Sequence, residues 1–321
     1  MKAWGIGILA GCAADMMVGD PRRGHPVAGF GRLAADVERR TWRDSRLAGS
    51  VHTGTLVAAT ALLAVAADRA AKRRPCARAA MAAALTWTVV GGHSLRREAA
   101  GIAAAIEHGD LDEARRRLPA LCGRDPAHLS ETEVVRAAVE SVAENTSDAV
   151  VAPLWWGAMA GPAGLAAYRA VNTLDAMIGH KSPRYRRFGW AAARLDDAAN
   201  WIPARCAAAL AVVLAPVVGG SPGSAARIWH RDGGAHPSPN AGQVEAAFAG
   251  ALDRTLGGGE NRYPGHTDTR PAMGGGPAPN AADLRRAVRL SAAVSAAAAV
   301  CAAATASRRR PQRGKRAGRL R

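Results

Sequence analysis

Residues 140–205, ESVAENTSDAVVAPLWWGAMAGPAGLAAYRAVNTLDAMIGHKSPRYRRFGWAAARLDDAANWIPAR, decide how this chain is read, because alanine-rich apolar segments alternate there with acids, amides and guanidiniums. Glu144, Asn145, Asp148, Asn172, Asp175, Asp196, Asp197 and Asn200 all stand beside hydrophobic runs. Polar side chains near hydrocarbon cost solvation free energy, so such a concentration points to chemistry.

Outward from that stretch, apolar runs cover residues 4–18, 53–67, 79–92, 149–167, 203–220 and 290–306. Most fall short of the roughly 20 residues that a perpendicular span needs. Their flanks therefore contribute, or some runs are buried or re-entrant. The fold class expected is all-α: a polytopic membrane helical protein with amphipathic helices and a Gly/Pro-rich loop region. One multi-pass domain is expected over residues 1–306, followed by a basic, disordered tail over 307–321. Within the domain, a polar helical insert occupies 94–148, a site-bearing loop 168–202, and a Gly/Pro-rich loop 221–280 around one short helix at 243–256. The competing reading is a soluble bundle of buried, alanine-rich helices.

The net charge of +17 would raise a nucleic-acid hypothesis in a soluble protein. Eight of those excess charges, however, lie after Ser307, where they would hold the end of a final span at the cytoplasmic face. Basic clusters at Arg39 and Arg40, at 72–74, and at Arg96 and Arg97 flank apolar runs without the aromatic interleaving of a single-strand binder. No nucleic-acid partner is expected. The five cysteines are scattered without a CxxC pair and read as buried thiols. Asp15 interrupts the first run, so a retained first helix is expected in place of a cleaved signal.

Residues 94–147 read as two amphipathic helices. Asp110 with Glu113 opens one that ends before Pro119, and Ser130 with Glu133 forms a capping box for the second. In the second helix Glu140, Glu144 and Asp148 recur every four residues, drifting about 40° per step, so they share a stripe. That stripe runs into the apolar segment 149–167, where Pro153 and the Gly161-Pro162 pair predict a broken or re-entrant run. If every run crossed once, the insert and the 168–202 segment would face opposite sides, although their chemistry looks like one site. Nearly every loop is basic, so the positive-inside rule leaves sidedness open.

Asp196, Asp197 and Asn200 have the spacing of acid-rich helical motifs that hold magnesium against diphosphates. A helix cap bridged to Arg194 or Arg205 is the plainer reading. Lys181, Arg184, Tyr185, Arg186 and Arg187 offer cations to a polyanion, as a membrane-surface anchor also would. The GHKS segment is not a P-loop, since the first glycine of that motif would fall at Leu174. His25, after Asp20 in GDPRRGHPV, is placed to aim its imidazole into a site or to serve structurally. No HExxH or paired His-acid spacing suggests zinc.

Four blocks in order, GDPRRGHPVAGFGRL, LSETEVVRAAVESVAENTSDAVVAPLWW, YRAVNTLDAMIGHKSPRYRRFGWAAARLDDAANWIPAR and SPNAGQVEAAFAGALDRTLGG, span most of residues 19–258. In them the chain resembles the CobD/CbiB family of adenosylcobinamide-phosphate synthases from cobalamin biosynthesis. The resemblance implies a multi-pass protein of the cell (cytoplasmic) membrane, with its site facing the cytoplasm. It implies a ligase that joins an amino-alcohol, or its phosphate, to the free propionate of adenosylcobyric acid as an amide. ATP as co-substrate and Mg2+ are implied with it, as are the lipid bilayer and other membrane enzymes of corrinoid assembly as partners.

Combining residue chemistry with these family-like positions gives expected roles. Asp148, Asp196, Asp197 and Asn200 are assigned to the metal. Asp20, Asn145, Asn172, Lys181, Arg184, Tyr185, Arg194, Arg205 and Asn240 are assigned to substrate. His25, Glu140, Glu144 and Asp175 are the catalytic candidates, one of which takes a proton from the incoming amine. Two other classes compete: a magnesium-dependent membrane prenyl- or phosphatidyl-transferase, which should show a second dense aspartate motif, and a non-catalytic membrane partner, which needs no such acids.

Overall fold

Alanine is the strongest helix former and the smallest side chain that keeps a helix rigid, and the computed structural model is helical almost throughout. It describes residues 2–21, 24–180, 182–263 and 266–308. The basic tail beyond 308, Lys181, and the side chains of 260–268 lie outside the described residues. Helices α1 (Lys2–Val18), α2 (Pro26–Thr41), α3 (Arg46–Ala71) and α4 (Pro75–Val89) form the first half of the bundle. Then come α5 (Gly92–Glu107), α6 (Leu111–Arg117), α7 (Glu131–Thr146) and α8 (Ala152–Ile178). The chain closes with α9 (Trp190–Val213), α10 (Pro222–Asp232), α11 (Ala241–Leu252), a hairpin of β1 (Gly259–Tyr263) and β2 (His266–Arg270), and α12 (Ala281–Arg308).

Among the described residues three helical stretches are long and apolar enough to cross a membrane: α3, the α7–α8 stretch, which folds back on itself at Gly161, and α12. They contain the runs 53–67, 149–167 and 290–306. The run 79–92 becomes the short α4, and 203–220 divides between the end of α9 and a 3₁₀ turn. On α3, Leu62 and Leu63 are 68% and 72% exposed. A soluble bundle would have buried them, whereas lipid solvates them.

Between apolar helices in lipid there is little hydrophobic driving force, so close packing holds them together. Gly7 and Gly11, one turn apart on α1, meet α4 so closely that a Cβ on Gly11 would stand 2.6 Å from the Ala83 carbonyl oxygen. A second cluster joins α2, α3, α8 and α9 through Ala34, Leu56, Leu174, Ile178, Phe188 and Ala192. The expected break in α8 occurs at Gly161, whose φ of 66° only glycine adopts readily, directly before Pro162. Just upstream, the Trp4 indole N–H donates to the Gly157 carbonyl oxygen over 3.0 Å, one of the supports such a break requires.

Three sequence boundaries need correction. The polar insert holds three helices, not two, since α5 precedes the pair whose caps at Asp110 and Ser130 form as expected. The 168–202 stretch is not a loop: both ends are helical, as the last turns of α8 and the first of α9, and the described residues between them, 179–180 and 182–189, are non-helical turns and bends. The Gly/Pro-rich 221–280 region contains α10, α11 and the hairpin. Pro222 sits in the first turn of α10, where its missing N–H costs nothing. α11 starts at Ala241 and stops at Leu252 because Asp253 turns left-handed ahead of three glycines that cannot sustain a helix.

Candidate functional site

The acid stripe on α7 does converge with α8. A cavity of about 490 Å³ is lined by Glu140, Glu144 and Asn145 of α7, Asp148 of the turn that follows, Asn172 and Asp175 of α8 beyond its break, and Gly179 and His180 of the next turn. Arg124 and Arg270 complete its wall from the loop before α7 and from the end of β2. Asp148 lies in a single π turn, Ser147–Val151, between α7 and α8. Such turns are rare and collect at functional sites.

Behind this wall a chain of hydrogen bonds fixes the acids. The Tyr168 hydroxyl lies 2.8 Å from Asn200 Oδ1 and 3.0 Å from the Asp148 carbonyl oxygen. Asn200 in turn donates to Asp196 Oδ2 over 2.9 Å, and Asn172 donates to Asp196 Oδ1 over 3.3 Å. Asn145 donates to the Ser141 carbonyl and hydroxyl oxygens at 3.0 and 3.1 Å. Glu144, Asp148, Asp175 and Asp196 stand within electrostatic reach of one another. Burial lifts the Asp196 carboxyl from its ordinary 3.8 to about 6, against the pull of its Asn172 and Asn200 bonds.

That shift has a sign. A carboxyl with a raised folded-state pKa stabilises the fold below the unfolded value and loses that contribution as pH climbs through the folded one. The metal-free protein is therefore expected to lose about 2–3 kcal/mol of stability between pH 4 and pH 6 from this group. Denaturation in detergent across that window checks it, and a flat profile would place Asp196 in water instead.

A second network adjoins the first. Glu140 is ion-paired with buried Arg124, accepts the Gly257 N–H over 2.7 Å, and lies 3.9 Å from Arg136. Glu245, wholly buried on α11, approaches Arg270 at 3.5 Å and His236 at 4.0 Å. Burial pushes its carboxyl well above the usual carboxylate range, with repulsion from Glu140 and Glu144 adding to the effect.

The remaining expected residues are elsewhere. His25 caps α2: its Nδ1 accepts the Val27 N–H over 3.2 Å, and its Nε2 lies 3.5 Å from Asp20. Arg184 pairs with Glu38 at 3.0 Å and stacks 4.7 Å from the Trp42 ring centre, while the Tyr185 hydroxyl donates to the same Glu38. Arg194 pairs with Asp197 at the surface, at 3.3 Å. Arg205 stacks on Trp201 and donates to its carbonyl oxygen over 2.7 Å. Asn240 donates to the Asp197 carbonyl over 2.8 Å and ties α11 to α9. Lys181 lies outside the described residues; its neighbour His180 lines the cavity.

Thus Arg184 braces α2, Arg187 pairs with Asp44 beyond its end, and the guanidiniums at the cavity are Arg124 and Arg270. Sequence reasoning missed both, together with Glu245, His236, Tyr168 and Arg169. Arg169 carried a signal, since it sits among the site's own residues in YRAVNTLD and feels the charges of Asp20 and Asp148. Arg270, in a stretch without periodicity, carried none.

Among the described residues no three His, Cys, Asp or Glu side chains form a ready-made metal centre. Magnesium does not require one. It keeps waters and needs one or two carboxylates beside substrate phosphates, which a polar cavity with several mutually repelling acids fits.

The comparisons agree over nearly the whole chain. The family model described as "CobD/Cbib protein" matches residues 8–291. A protein named "Cobalamin biosynthesis protein CobD" from Mycobacterium tuberculosis is 56% identical over 306 residues, covering 95% of this chain and 97% of the relative. Proteins of the same name from Geobacter metallireducens and Chromobacterium violaceum are 46% and 43% identical, over 85% and 86% of this chain and 87% and 88% of their own. No solved structure matches.

Proposed function

This chain belongs to the CobD/Cbib family, and we propose that it is the cobalamin-biosynthesis enzyme that converts adenosylcobyric acid to adenosylcobinamide or its phosphate. The reaction is ATP-dependent amide coupling of aminopropanol, or aminopropanol phosphate, to the free propionate. The observation that carries this reading is the acid-lined polar cavity between α7 and the C-terminal turns of α8. A transferase of prenyl or phosphatidyl groups calls for a second dense aspartate motif, of which NTLD at 172–175 is only a partial one, and a non-catalytic partner needs no such acids clustered with cations.

A carboxylate resists amine attack until its oxygen becomes part of a leaving group. Phosphoryl transfer from ATP to the propionate oxygen releases ADP and gives an acyl phosphate. The amine then forms the C–N bond, phosphate leaves, and one proton is lost from nitrogen. Glu144 and Asp175, both on the cavity wall, are the groups placed to take that proton. Asp148 and Asp196 would hold Mg2+, which when bound neutralises phosphate charge during the transfer. Asn172 and Asn200 hold Asp196 in its orientation, and Asn145 and Asn172 line the cavity that would receive a substrate rich in amides. Asp197 acts from the surface side through its charge on Asp175 and Asp196. Glu140, engaged by Arg124 and Gly257, serves as an anchor and not as the base.

The site belongs to the membrane face of the cytoplasm in this reading, where ATP is supplied. Purified protein in lipid nanodiscs, given adenosylcobyric acid, ATP, Mg2+ and either amine, is expected to yield the amide and stoichiometric ADP and phosphate. Mass spectrometry showing unchanged corrinoid with both amines would overturn it.

A further inference from the structure

The acid stripe accounts for only part of the cavity wall. Arg124 and Arg270 also line it, and they come from segments far apart in sequence that the fold brings to one place. Each has a buried carboxylate beside it. Arg124 is paired with Glu140, which the Gly257 N–H anchors in turn over 2.7 Å. The Arg270 guanidinium lies 3.5 Å from Glu245, whose side chain is wholly buried on α11.

Burying two carboxylates is expensive, and a purely structural contact would be served as well by apolar side chains of similar volume. What the carboxylates achieve is orientation: they fix two guanidinium planes at a polar wall. Both guanidiniums also act on Glu144 across that wall, so their charge reaches the cavity as well as the buried partners. The surface pairs of Arg184 with Glu38 and Arg194 with Asp197 hold those cations away from the cavity wall.

We propose that Arg124 and Arg270 form an anion subsite for a phosphoryl group, with Glu140 and Glu245 as the buried carboxylates that position them. The choice of phosphoryl over other anions rests on the ligase reading above. Guanidiniums suit it because they grip phosphate oxygens bidentately. The group is the end of the nucleotide's phosphate chain or the ester phosphate of an amino-alcohol.

The test is equilibrium titration of full-length protein in nanodiscs with inorganic phosphate, ATP and aminopropanol phosphate, without turnover. Arg270→Gln is expected to weaken binding of the phosphate it contacts by about 10- to 100-fold. Loss confined to ATP assigns the subsite to the nucleotide, and loss confined to aminopropanol phosphate assigns it to the amine substrate. Arg270→Lys keeps the charge without the fork and should lose several-fold, deciding the matter if the glutamine variant does not fold. Glu245→Gln should weaken the same phosphate, with Glu245→Asp restoring most of the affinity, as expected of a positioning residue. Wild-type affinity in the folded Arg270 variants, or wild-type protein that binds none of the three ligands, would overturn the subsite. Because binding is read without catalysis, absence of amide product would sink the ligase reading while leaving this one standing.

Discussion

Asp148→Asn is expected to reduce amide formation by about a thousandfold, on the scale of losing a central electrostatic group from an active site, while the folded protein stays as stable as the wild type or becomes more so. The two signs come from one geometry. Asp148 faces the cavity from the π turn and feels the charges of Asp196, Glu144 and Asp175. Like charges crowded together destabilise the fold that holds them, so neutralising one relieves repulsion. Turnover by mass spectrometry and melting in detergent on the same preparation check both halves. A large loss of stability would instead make Asp148 a structural residue. Asp197→Asn provides the contrast: it removes a surface pair with Arg194, worth under about 1 kcal/mol, and acts on the site only through its field. Its activity loss should be much smaller than that of Asp148→Asn. Equal losses would return Asp197 to the metal set that the sequence motif proposed.

Glu140→Ala should have the opposite signature, a loss of about 3–5 kcal/mol in stability that removes most folded protein, because it leaves Arg124 buried without its carboxylate. The Gly257 N–H loses its acceptor in the same change. Glu140→Gln, which can still accept that N–H, should fold better than the alanine variant. The yield of detergent-stable protein distinguishes them. An alanine variant that folds normally yet fails to form amide would restore Glu140 to the role of base.

These contrasts also mark what was legible in the sequence. The capping box at Ser130, the Asp110 cap, the Gly161-Pro162 break and the four-residue stripe of acids are local patterns, set by neighbours along the chain, and the structure reproduces them. Roles that depend on distant segments were not readable. Arg184 looked like a phosphate ligand because guanidiniums cluster near it, yet Glu38, far away in α2, claims it. Glu140 looked like its stripe mates, but Arg124 and the Gly257 N–H converge on it. The helices hidden in the Gly/Pro-rich region were missed for a different reason. Proline and glycine mark helix ends as often as they mark loops, and Pro222 and Asp253 bound real helices there.

The pairing of α1 with α4 has a consequence for the surrounding lipid. At 1.5 Å per residue, 17 and 15 residues measure roughly 26 and 23 Å, less than the ~30 Å of a typical acyl slab. The glycines that lock the two together prevent either from sliding to gain length. Neither helix alone reaches across such a slab, and Ile6, Leu9 and Met16, exposed on the outer side of α1, can meet only part of its depth.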